Sequence, residues 1–299
     1  MMRGFDEYAR YKEFIDEHIF DFLPEADPES AVLRESMAYS LKGGGKRVRP
    51  VLLLAACEFA GGDLKQALPY ACAVEYIHTY SLIHDDLPAM DDDGFRRGLP
   101  SNHAVFGEAV AILSGDGLLS LAFEIMNRDI LLCSDDPAAL WQRARAAYEI
   151  SKCAGCRGMV AGQTADIESE NKSVSGEFLD YIHLNKTAAL IVGAVKAGAY
   201  MGKADRDMIT NLENYAKNLG LAFQVADDIL DVSGEADEIG KKSADMSKRK
   251  AAYPAVHGME RSRRRLKELT DDAVNFLKPY YGEAEFFVRV AGSLAKRSK

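Results

Sequence analysis

The stretch LGLAFQVADDILD, Leu219–Asp231, sets three aspartates within an otherwise apolar segment. Asp227 and Asp231 are four residues apart, so a helix carries them on one face, with Asp228 beside them. Two close carboxylates repel each other by about 4 kcal/mol at an intermediate effective dielectric constant. Such a cluster on an apolar helix is costly unless cations compensate its charge. The stretch therefore predicts a core helix that binds a cation.

A second aspartate cluster lies upstream, in HDDLPAMDDDGFRRG, His84–Gly98. The segment before it, AVEYIHTYSLI, is apolar enough for a core helix. Asp85 and Asp91 are six residues apart, which is not a same-face spacing on a straight helix. Pro88 lies between them and ends or distorts the helix. We therefore expect the chain to turn back and present Asp91 beside Asp85.

The two clusters share a setting, because each is carried by an apolar helical segment. Hard carboxylate oxygens suit Mg²⁺, which typically binds through one or two carboxylates together with phosphate oxygens. If the clusters face each other across a cavity, they would hold Mg²⁺ ions with a polyphosphate between them.

The rest of the chain predicts an all-α fold. Alanine, leucine, glutamate, lysine and methionine are frequent, alternating β-branched runs are rare, and Gly or Pro breakers are widely spaced. With 299 residues, 47% of them hydrophobic, the chain can bury a large core. No Pro/Ser-rich linker divides it. We therefore predict one domain, 1–299, built as a multi-helix bundle around a central cavity.

Cationic residues suited to binding phosphates accompany both clusters. The glycine-rich stretch GGGKRVRP, Gly43–Pro50, has a backbone that can approach an anion closely. The candidate cations are Lys46, Arg47 and Arg49 of this stretch, Arg96 and Arg97 after the first cluster, and Lys186, Lys241 and Lys250 further along. His78 lies two helical turns before Asp85, which by itself carries little weight. Together these residues suit two anions, one held through metal ions and one held by arginine and lysine directly.

Other features exclude some functions. The net charge of −9 disfavours a general nucleic-acid binder. Five scattered cysteines, with one isolated CxxC at Cys153–Cys156, indicate a reduced protein rather than a zinc or disulfide site. The start has no apolar signal region, and the longest uninterrupted apolar runs are far shorter than a membrane span. We expect a cytoplasmic protein with no membrane insertion.

In combination, the motifs resemble those of the trans-isoprenyl diphosphate synthases, and most closely the bacterial-type farnesyl diphosphate synthases of that family. The resemblance covers most of the chain, from about Leu41 to Pro254. The motifs that carry it, in order, are GGGKRVRP, SLIHDDLPAMDDDGFRRGLPSNHAVFGEAVAILSGD, GMVAGQTADI, HLNKTAALI, LGLAFQVADDILD and KAAYP.

The resemblance implies a role for each matching residue. Asp85, Asp91, Asp227 and Asp231 would bind Mg²⁺, with Asp86 supporting the first motif. Arg96 would contact the allylic diphosphate, while Lys46, Arg49, His78 and Arg97 would hold isopentenyl diphosphate. Lys186, Thr187, Gln224 and Lys241 would surround the allylic diphosphate and the developing cation, with Lys250 nearby and Gln163 and Asp166 in support.

The implied reaction is ionisation of the allylic diphosphate, attack by the isopentenyl double bond, and loss of a proton to the released diphosphate. The resemblance also implies a homodimer and links an aromatic residue shortly before the first motif to a fifteen-carbon product. Tyr80 and Ser81 lie about one turn before Asp85, so we expect Tyr80 to form a floor that gives farnesyl diphosphate.

Alternatives from the residues remain open. A geranyl or geranylgeranyl diphosphate synthase differs only in product length. A terpene cyclase would leave the second set of cations without a role, and a catalytically silent helical regulatory subunit should have lost an aspartate motif. The chain departs from the family pattern at GKKSAD, Gly240–Asp245, which lacks an inner glycine. That departure leaves open whether Lys241 or Lys242 faces the site.

Overall fold

The computed structural model describes residues 3–25, 27–233 and 252–296. Helices dominate this part of the chain, which confirms the all-α prediction. The α-helices are α1 Arg3–His18, α2 Ala31–Lys42, α3 Val48–Phe59, α4 Leu64–Asp85, α5 Asn102–Phe106, α6 Glu108–Leu131, α7 Pro137–Ala154, α8 Met159–Ser169, α9 Gly176–Ile182, α10 Ala189–Met201, α11 Arg206–Ser233, α12 Tyr253–His257, α13 Met259–Phe276 and α14 Glu285–Lys296.

Short elements join the helices. A π-helical segment, His183–Ala188, links α9 to α10, and 3₁₀ turns occupy Pro28–Ser30 and Lys278–Tyr280. Strands β1, Phe95–Arg96, and β2, Leu99–Pro100, form a two-residue antiparallel hairpin directly after the first aspartate cluster. The sequence patterns predicted neither the hairpin nor the π segment.

The centre of the fold is formed by α3, α4 and α10. These helices are apolar on most of their circumference, which is the pattern of helices surrounded by others, and α4 packs against both α3 and α10. Tyr70 and Tyr76 of α4 are fully buried. The amphipathic helix α13 instead packs one face on α11 and turns its charged face to solvent. Buried side chains from α1 to α14 form one continuous hydrophobic core.

The helix boundaries follow the breakers, with one instructive exception. Gly43 caps the end of α2, and Gly202 caps the end of α10. Pro137, by contrast, begins α7, where its missing N–H needs no partner. The Asp136 carboxylate caps that helix by accepting hydrogen bonds from the Ala138 and Ala139 amides, at 3.0 and 3.1 Å.

One helix of the described chain, α6, is long and apolar enough by length and composition to cross a membrane. Single glycines and polar residues interrupt its sequence, so a search for unbroken apolar runs does not single it out. In the fold α6 packs along α4 and α2, as a core helix does, and 44% of its most apolar window is buried.

Candidate active site

The first aspartate cluster forms a tight return at the end of α4. The helix ends at Asp85, and the chain turns back so that the Asp91 amide donates a hydrogen bond to the Asp85 carbonyl at 2.8 Å. Asp92 adopts a left-handed backbone conformation, with φ of 56°, and the Asp93 amide reaches the Asp86 carbonyl at 3.2 Å. The distortion expected at Pro88 therefore places Asp91 beside Asp85.

The middle aspartate of this cluster faces inward. Asp86 is only 2% exposed, and its carboxylate accepts a hydrogen bond from Arg96 Nε at 2.9 Å and another from Arg96 Nη2. The same Nη2 lies 3.1 Å from Asp93. Arg96, which the resemblance assigns to the allylic diphosphate, is thus bound by two carboxylates of its own motif in this structure.

Helix α8 connects the first cluster to the π segment. Gln163 Nε2 donates to Asp85 Oδ1 at 2.7 Å, and one turn later Asp166 accepts from Lys186 Nζ at 2.6 Å. Gln163 and Asp166 therefore each contact one predicted site residue, and their supporting role stays a prediction. Lys186 lies on the π segment with its ammonium group held by Asp166.

The π segment is enclosed by two glycines. A Cβ atom at Gly162 of α8 would overlap the backbone nitrogen of Lys186, and one at Gly220 of α11 would stand 2.5 Å from the Cα atom of Ala188. Only glycine permits such close backbone approach. Because π-helical turns present side chains out of the α-helical register, this packing determines where Lys186 and Thr187 project.

Thr187 of the π segment and Gln224 of α11 belong to one series of hydrogen bonds that leads to Asp228. Thr187 Oγ1 donates to Gln224 Oε1 at 2.9 Å, and Gln224 Nε2 donates to Asp228 Oδ1 at 2.9 Å. The Tyr253 amide donates to Asp228 Oδ2 at 2.8 Å. The ring nitrogen His183 Nε2 lies 3.4 Å from the same oxygen.

The three aspartates of the second cluster therefore do not share one environment. The helical spacing placed Asp227 and Asp231 on one face, with Asp228 beside them, and did not indicate that Asp228 is buried. Asp228 is 7% exposed and points into the fold, whereas Asp227 and Asp231 lie on the exposed face of α11. The burial follows from helical geometry, because adjacent residues are about 100° apart around the axis. His183, a buried participant, was not among the predicted site residues, and nothing in its local sequence distinguishes it.

The glycine-rich loop is anchored by Arg47. This residue is 4% exposed, has φ of 49°, and its guanidinium binds Glu75 Oε1 at 2.8 Å and Asp16 Oδ1 at 2.9 Å. The Leu41 carbonyl accepts a third hydrogen bond from it at 2.7 Å. Arg47 therefore has a structural role, and the expectation that it offers its charge to a phosphate is wrong.

The other cations of this region lie close together. A Cβ atom at Gly45 would stand 2.6 Å from the Arg97 guanidinium carbon, so this glycine, with φ of 130°, lets Arg97 lie against the loop. Burial lowers the pKa of Arg49, and among the charges acting on it are Arg97, which opposes ionisation, and Asp227 of the second cluster, which favours it. Arg49 Nε is buried, and no described group accepts its hydrogen bond.

The pKa of His78 is affected by the same positively charged residues. Its pKa lies well below the usual range because the ring is buried, and because Arg49, Arg97, Arg47 and Arg96 all add positive charge around it. His78 is therefore neutral at physiological pH. The structure thus brings Arg49, Arg97 and His78 together and sets the glycine-rich loop within electrostatic range of Asp227.

Tyr80 lies on the buried side of α4, with 7% exposure. Its ring meets the His84 ring edge to face at 5.7 Å between centroids. Burial, followed by the Asp85 charge, raises the pKa of Tyr80 to about 12, so the phenol stays neutral. Ser81 is half-buried, and its hydroxyl donates to the His78 carbonyl at 2.9 Å. The predicted site residues Lys241 and Lys250, and Lys242 as well, lie outside the described residues.

The donor chemistry fits a hard divalent cation. All four predicted ligands, Asp85, Asp91, Asp227 and Asp231, supply carboxylate oxygens, and the first two are held beside each other by the return of the chain. Within the described ranges no three His, Cys, Asp or Glu side chains converge into a ready-made metal cage. That arrangement suits an ion such as Mg²⁺, which keeps several waters and completes its shell with phosphate oxygens.

Comparison with known proteins identifies the family of this chain. The polyprenyl synthetase family model matches residues 30–278. The chain is 48% identical over 237 residues to farnesyl diphosphate synthase from Geobacillus stearothermophilus, covering 79% of this chain and 78% of that one. It is 46% identical over 265 residues to the large subunit 1 of a heterodimeric geranylgeranyl pyrophosphate synthase from Arabidopsis thaliana, covering 87% and 70% respectively.

A solved structure of an FPP/GFPP synthase from Zymomonas mobilis superimposes with a TM-score of 0.86 at 33% sequence identity, over 98% of both chains. The chain belongs to the polyprenyl synthetase family, and its fold is the all-α fold of the isoprenyl synthases. It is a trans-prenyl diphosphate synthase, a transferase that acts on isoprenyl diphosphates, and members of this family use a divalent metal.

Proposed function

We propose that this chain condenses isopentenyl diphosphate with dimethylallyl diphosphate and then with geranyl diphosphate, head to tail, to give farnesyl diphosphate and diphosphate, with Mg²⁺ as cofactor. The observation that carries the proposal is the division of anion-binding groups into two kinds. Carboxylates that suit metal ions lie at the end of α4 and on the exposed face of α11, while arginines and a neutral histidine cluster at the glycine-rich loop.

Asp85, Asp91, Asp227 and Asp231 would hold Mg²⁺ together with the allylic diphosphate. When bound, the metal supplies Lewis acidity that stabilises the departing diphosphate. Lys186, already oriented by Asp166, would add a fixed positive charge on the same leaving group. In this role Arg96 would exchange part of its carboxylate contacts for the phosphate. Lys241 and Lys250, which lie outside the described residues, would contribute further charge if they reach the site.

Lys46, Arg49, His78 and Arg97 would hold isopentenyl diphosphate by direct charge and hydrogen bonding. These residues only have to position isopentenyl diphosphate. They need no metal ion, because the diphosphate of this substrate is not a leaving group and stays in the product. Arg49, whose Nε lacks a described acceptor, is suited to receive an oxygen from this ligand.

Thr187 and Gln224 would face the allylic carbon as its bond to oxygen breaks. Their oxygens are the negative ends of polar bonds that hydrogen bonding holds in place before the reaction. Such preorganised dipoles stabilise positive charge without having to reorganise. The isopentenyl double bond then attacks the cation, and the proton lost in the last step passes to the released diphosphate. Water must be excluded meanwhile, since it would quench the cation, and the apolar helices α4 and α10 suit that need.

Tyr80 supports the fifteen-carbon product, because its buried ring lies one turn before Asp85 along α4. A chain growing from the first motif down this helix would meet the ring after few additions. Geranylgeranyl diphosphate synthesis is the second candidate, since relatives of that name are nearly as similar to this chain as those named for farnesyl diphosphate. Geranyl diphosphate synthesis is the shorter alternative.

The test is a product assay with purified protein, isopentenyl diphosphate and either dimethylallyl or geranyl diphosphate, with and without Mg²⁺. The dephosphorylated alcohols are sized by chromatography. A Mg²⁺-dependent C15 alcohol is expected from the wild type and from Tyr80→Phe, which keeps the ring. Tyr80→Ala should give longer alcohols, and an unchanged C15 product from that variant would contradict the floor.

The same assay separates the other classes. A folded protein that consumes no substrate would favour a silent regulatory subunit, and cyclic hydrocarbons would favour a cyclase. We further propose that the chain is a single domain that works as a homodimer in the cytoplasm. Light scattering on the purified protein tests the dimer, for which a monomer mass would be contradictory.

A further inference from the structure

We propose that Asp228 is a positioning residue that sets the direction of the hydrogen bonds reaching Thr187, and does not bind the metal as the outer aspartates of its motif would. This inference rests on the proposed function of Thr187 and Gln224. Asp228 is buried, and both of its oxygens are occupied by protein donors, Gln224 Nε2 at 2.9 Å and the Tyr253 amide at 2.8 Å.

The chemistry of these groups allows only one direction. A carboxylate and a backbone amide cannot exchange roles, because the first only accepts and the second only donates. Asp228 therefore draws the NH₂ group of Gln224 towards itself, so Gln224 Oε1 must face Thr187. That oxygen accepts the Thr187 hydroxyl proton at 2.9 Å. The lone pairs of Thr187 Oγ1 are left to point elsewhere, as acceptors.

The direction matters for a reaction that creates positive charge. An oxygen that presents lone pairs stabilises a cation, whereas a hydroxyl proton aimed at the cation destabilises it. Without the Asp228 carboxylate, the Gln224 amide could rotate by half a turn. Its NH₂ group would then donate to Thr187 Oγ1, and the hydroxyl proton would be free to turn into the site.

The same carboxylate ties three elements together. It belongs to α11, its Tyr253 partner begins α12, and His183 of the π segment lies 3.4 Å from Oδ2 with its other ring nitrogen, Nδ1, buried and without a described partner. The His183 ring also stacks on Tyr253 at 5.9 Å between centroids. Asp228 thus holds the segment that carries Thr187 against the helix that carries Gln224.

The first experiment compares Asp228→Asn with Asp227→Asn, its exposed neighbour. For Asp228→Asn we expect kcat to fall about 10- to 100-fold, with KM values and half-saturating Mg²⁺ nearly unchanged, and the metal-free Tm to fall by about 5 °C. For Asp227→Asn we expect the half-saturating Mg²⁺ to rise at least about tenfold and the metal-free Tm to change less than that of Asp228→Asn, because Asp227 is exposed. An Asp228→Asn variant that needs more Mg²⁺ and keeps its Tm would overturn the proposal.

The second experiment is a rescue that packing alone would not produce. In the double variant Asp228→Asn, Gln224→Glu, the NH₂ group of the introduced asparagine can donate to the introduced carboxylate, which again accepts from Thr187. The hydrogen bond from the Thr187 hydroxyl to residue 224 then has its original direction, so kcat should recover to within about fivefold of the wild type. A double variant no more active than Asp228→Asn would refute the directional role.

Two outcomes keep this inference separate from the proposed function. If the wild type forms no prenyl product, the proposed function fails, and the metal-free Tm of Asp228→Asn and of the double variant still decides whether Asp228 joins the three elements. If Asp228→Asn does not fold, Thr187→Val replaces it, because this change removes only the last hydroxyl of the chain. Thr187→Val should lower kcat at least about tenfold with little change in Tm, and an unchanged kcat would contradict the inference.

Discussion

Each of the two aspartate motifs contains one buried carboxylate, and the protein groups that bind this carboxylate differ between the motifs. In each, the middle aspartate is buried and bound by the protein, Asp86 at 2% exposure and Asp228 at 7%, while its neighbours Asp85 and Asp227 are more accessible. Asp86 is neutralised by a charged partner, Arg96, from the hairpin that follows. Asp228 is held by neutral donors, an amide side chain and a backbone N–H.

The difference follows from where each motif lies in the fold. The first motif is a loop at a helix end, so nearby residues of the same loop can turn an arginine back onto it. The second motif lies within α11, whose backbone N–H groups already donate inside the helix. Its buried carboxylate is therefore contacted by residues of the π segment and of α12. A buried carboxylate needs such partners in either case. Similar motif sequences therefore have two different environments. Four of the five substitutions below test that distinction, and His78→Gln tests the positive charge around the first motif's helix.

The largest effect is expected for Asp85→Asn. Removing one negative charge from the accessible side of the first motif should lower kcat/KM more than about 100-fold, because the metal ion that would bind the diphosphate loses a carboxylate ligand. The metal-free Tm should change little, because Asn can still accept the Gln163 hydrogen bond. Asp92→Asn, on the exposed turn, is the matched control and should stay near wild-type activity. Equal losses in both variants would argue against a specific ligand.

Gly220→Ala should be the most destabilising change. The new Cβ would stand 2.5 Å from the Cα and Cβ atoms of Ala188, and backbone cannot move aside as a flexible side chain can. Overpacking of this kind costs roughly 3 kcal/mol, which corresponds to a Tm lower by about 5–10 °C. Thermal unfolding without ligand measures it. An unchanged Tm would mean that α11 and the π segment are packed less closely than the structure shows.

Asp86→Asn tests the charged partner of the first motif. The substitution leaves Arg96 with Asp93 as its described anionic contact, so the buried pair loses its charge balance. We expect a loss of about 1–3 kcal/mol in the free energy of unfolding, measured by denaturant titration. Asp93→Asn is the control, because that pair is far more exposed and such pairs are worth about 0–1 kcal/mol. A larger loss from Asp93→Asn would reverse the assignment.

His78 should make stability depend on pH. Its folded pKa lies well below that of the unfolded chain, so the unfolded state binds more protons as the pH falls. The contribution of neutral His78 to the free energy of unfolding is complete above a pH of about 6.5, the pKa of histidine in the unfolded chain. It is lost progressively below that pH. His78→Gln should therefore flatten the fall in Tm below that pH, relative to the wild type. Parallel pH curves for the two proteins would contradict this.

The smallest effect is expected for Gly115→Ala. A Cβ here would overlap the His84 ring, which belongs to the last turn of the helix carrying the first motif. That side chain is 26% exposed and can rotate away, unlike the backbone beside Gly220. The free energy of unfolding should fall by only about 0.5–1 kcal/mol. A loss as large as that of Gly220→Ala would show that the end of α4 is as tightly enclosed as the second motif.

Several features of this protein could be predicted from local patterns. The return at Pro88 follows from the steric limits on proline and its neighbour, so Asp91 beside Asp85 was expected and found. The clustering of Arg49, Arg97 and His78 was implied by the family resemblance, and the structure brings these residues together. The role of each predicted site residue stays a prediction until the variants above are measured.

Other features could not be predicted because they depend on which surfaces meet. Arg47 has the same local context as Lys46 and Arg49, and it became structural because Glu75 and Asp16 of two other helices lie within reach. His183 became a neighbour of Asp228 through the π segment, whose register depends on the close approach of Gly162 and Gly220. A sequence contains these glycines without saying what they touch.

The sequence by itself determined the class of fold, the helix limits near most breakers, and the residue types that suit metal ions and phosphates. These depend on interactions between residues a few positions apart, where spacing and steric limits suffice. Only the tertiary structure decided which aspartate of each motif turns inward, which arginine is used by the scaffold, and which way the Gln224 amide points. Those outcomes depend on partners far along the chain, because a buried polar group takes the partner that packing brings to it.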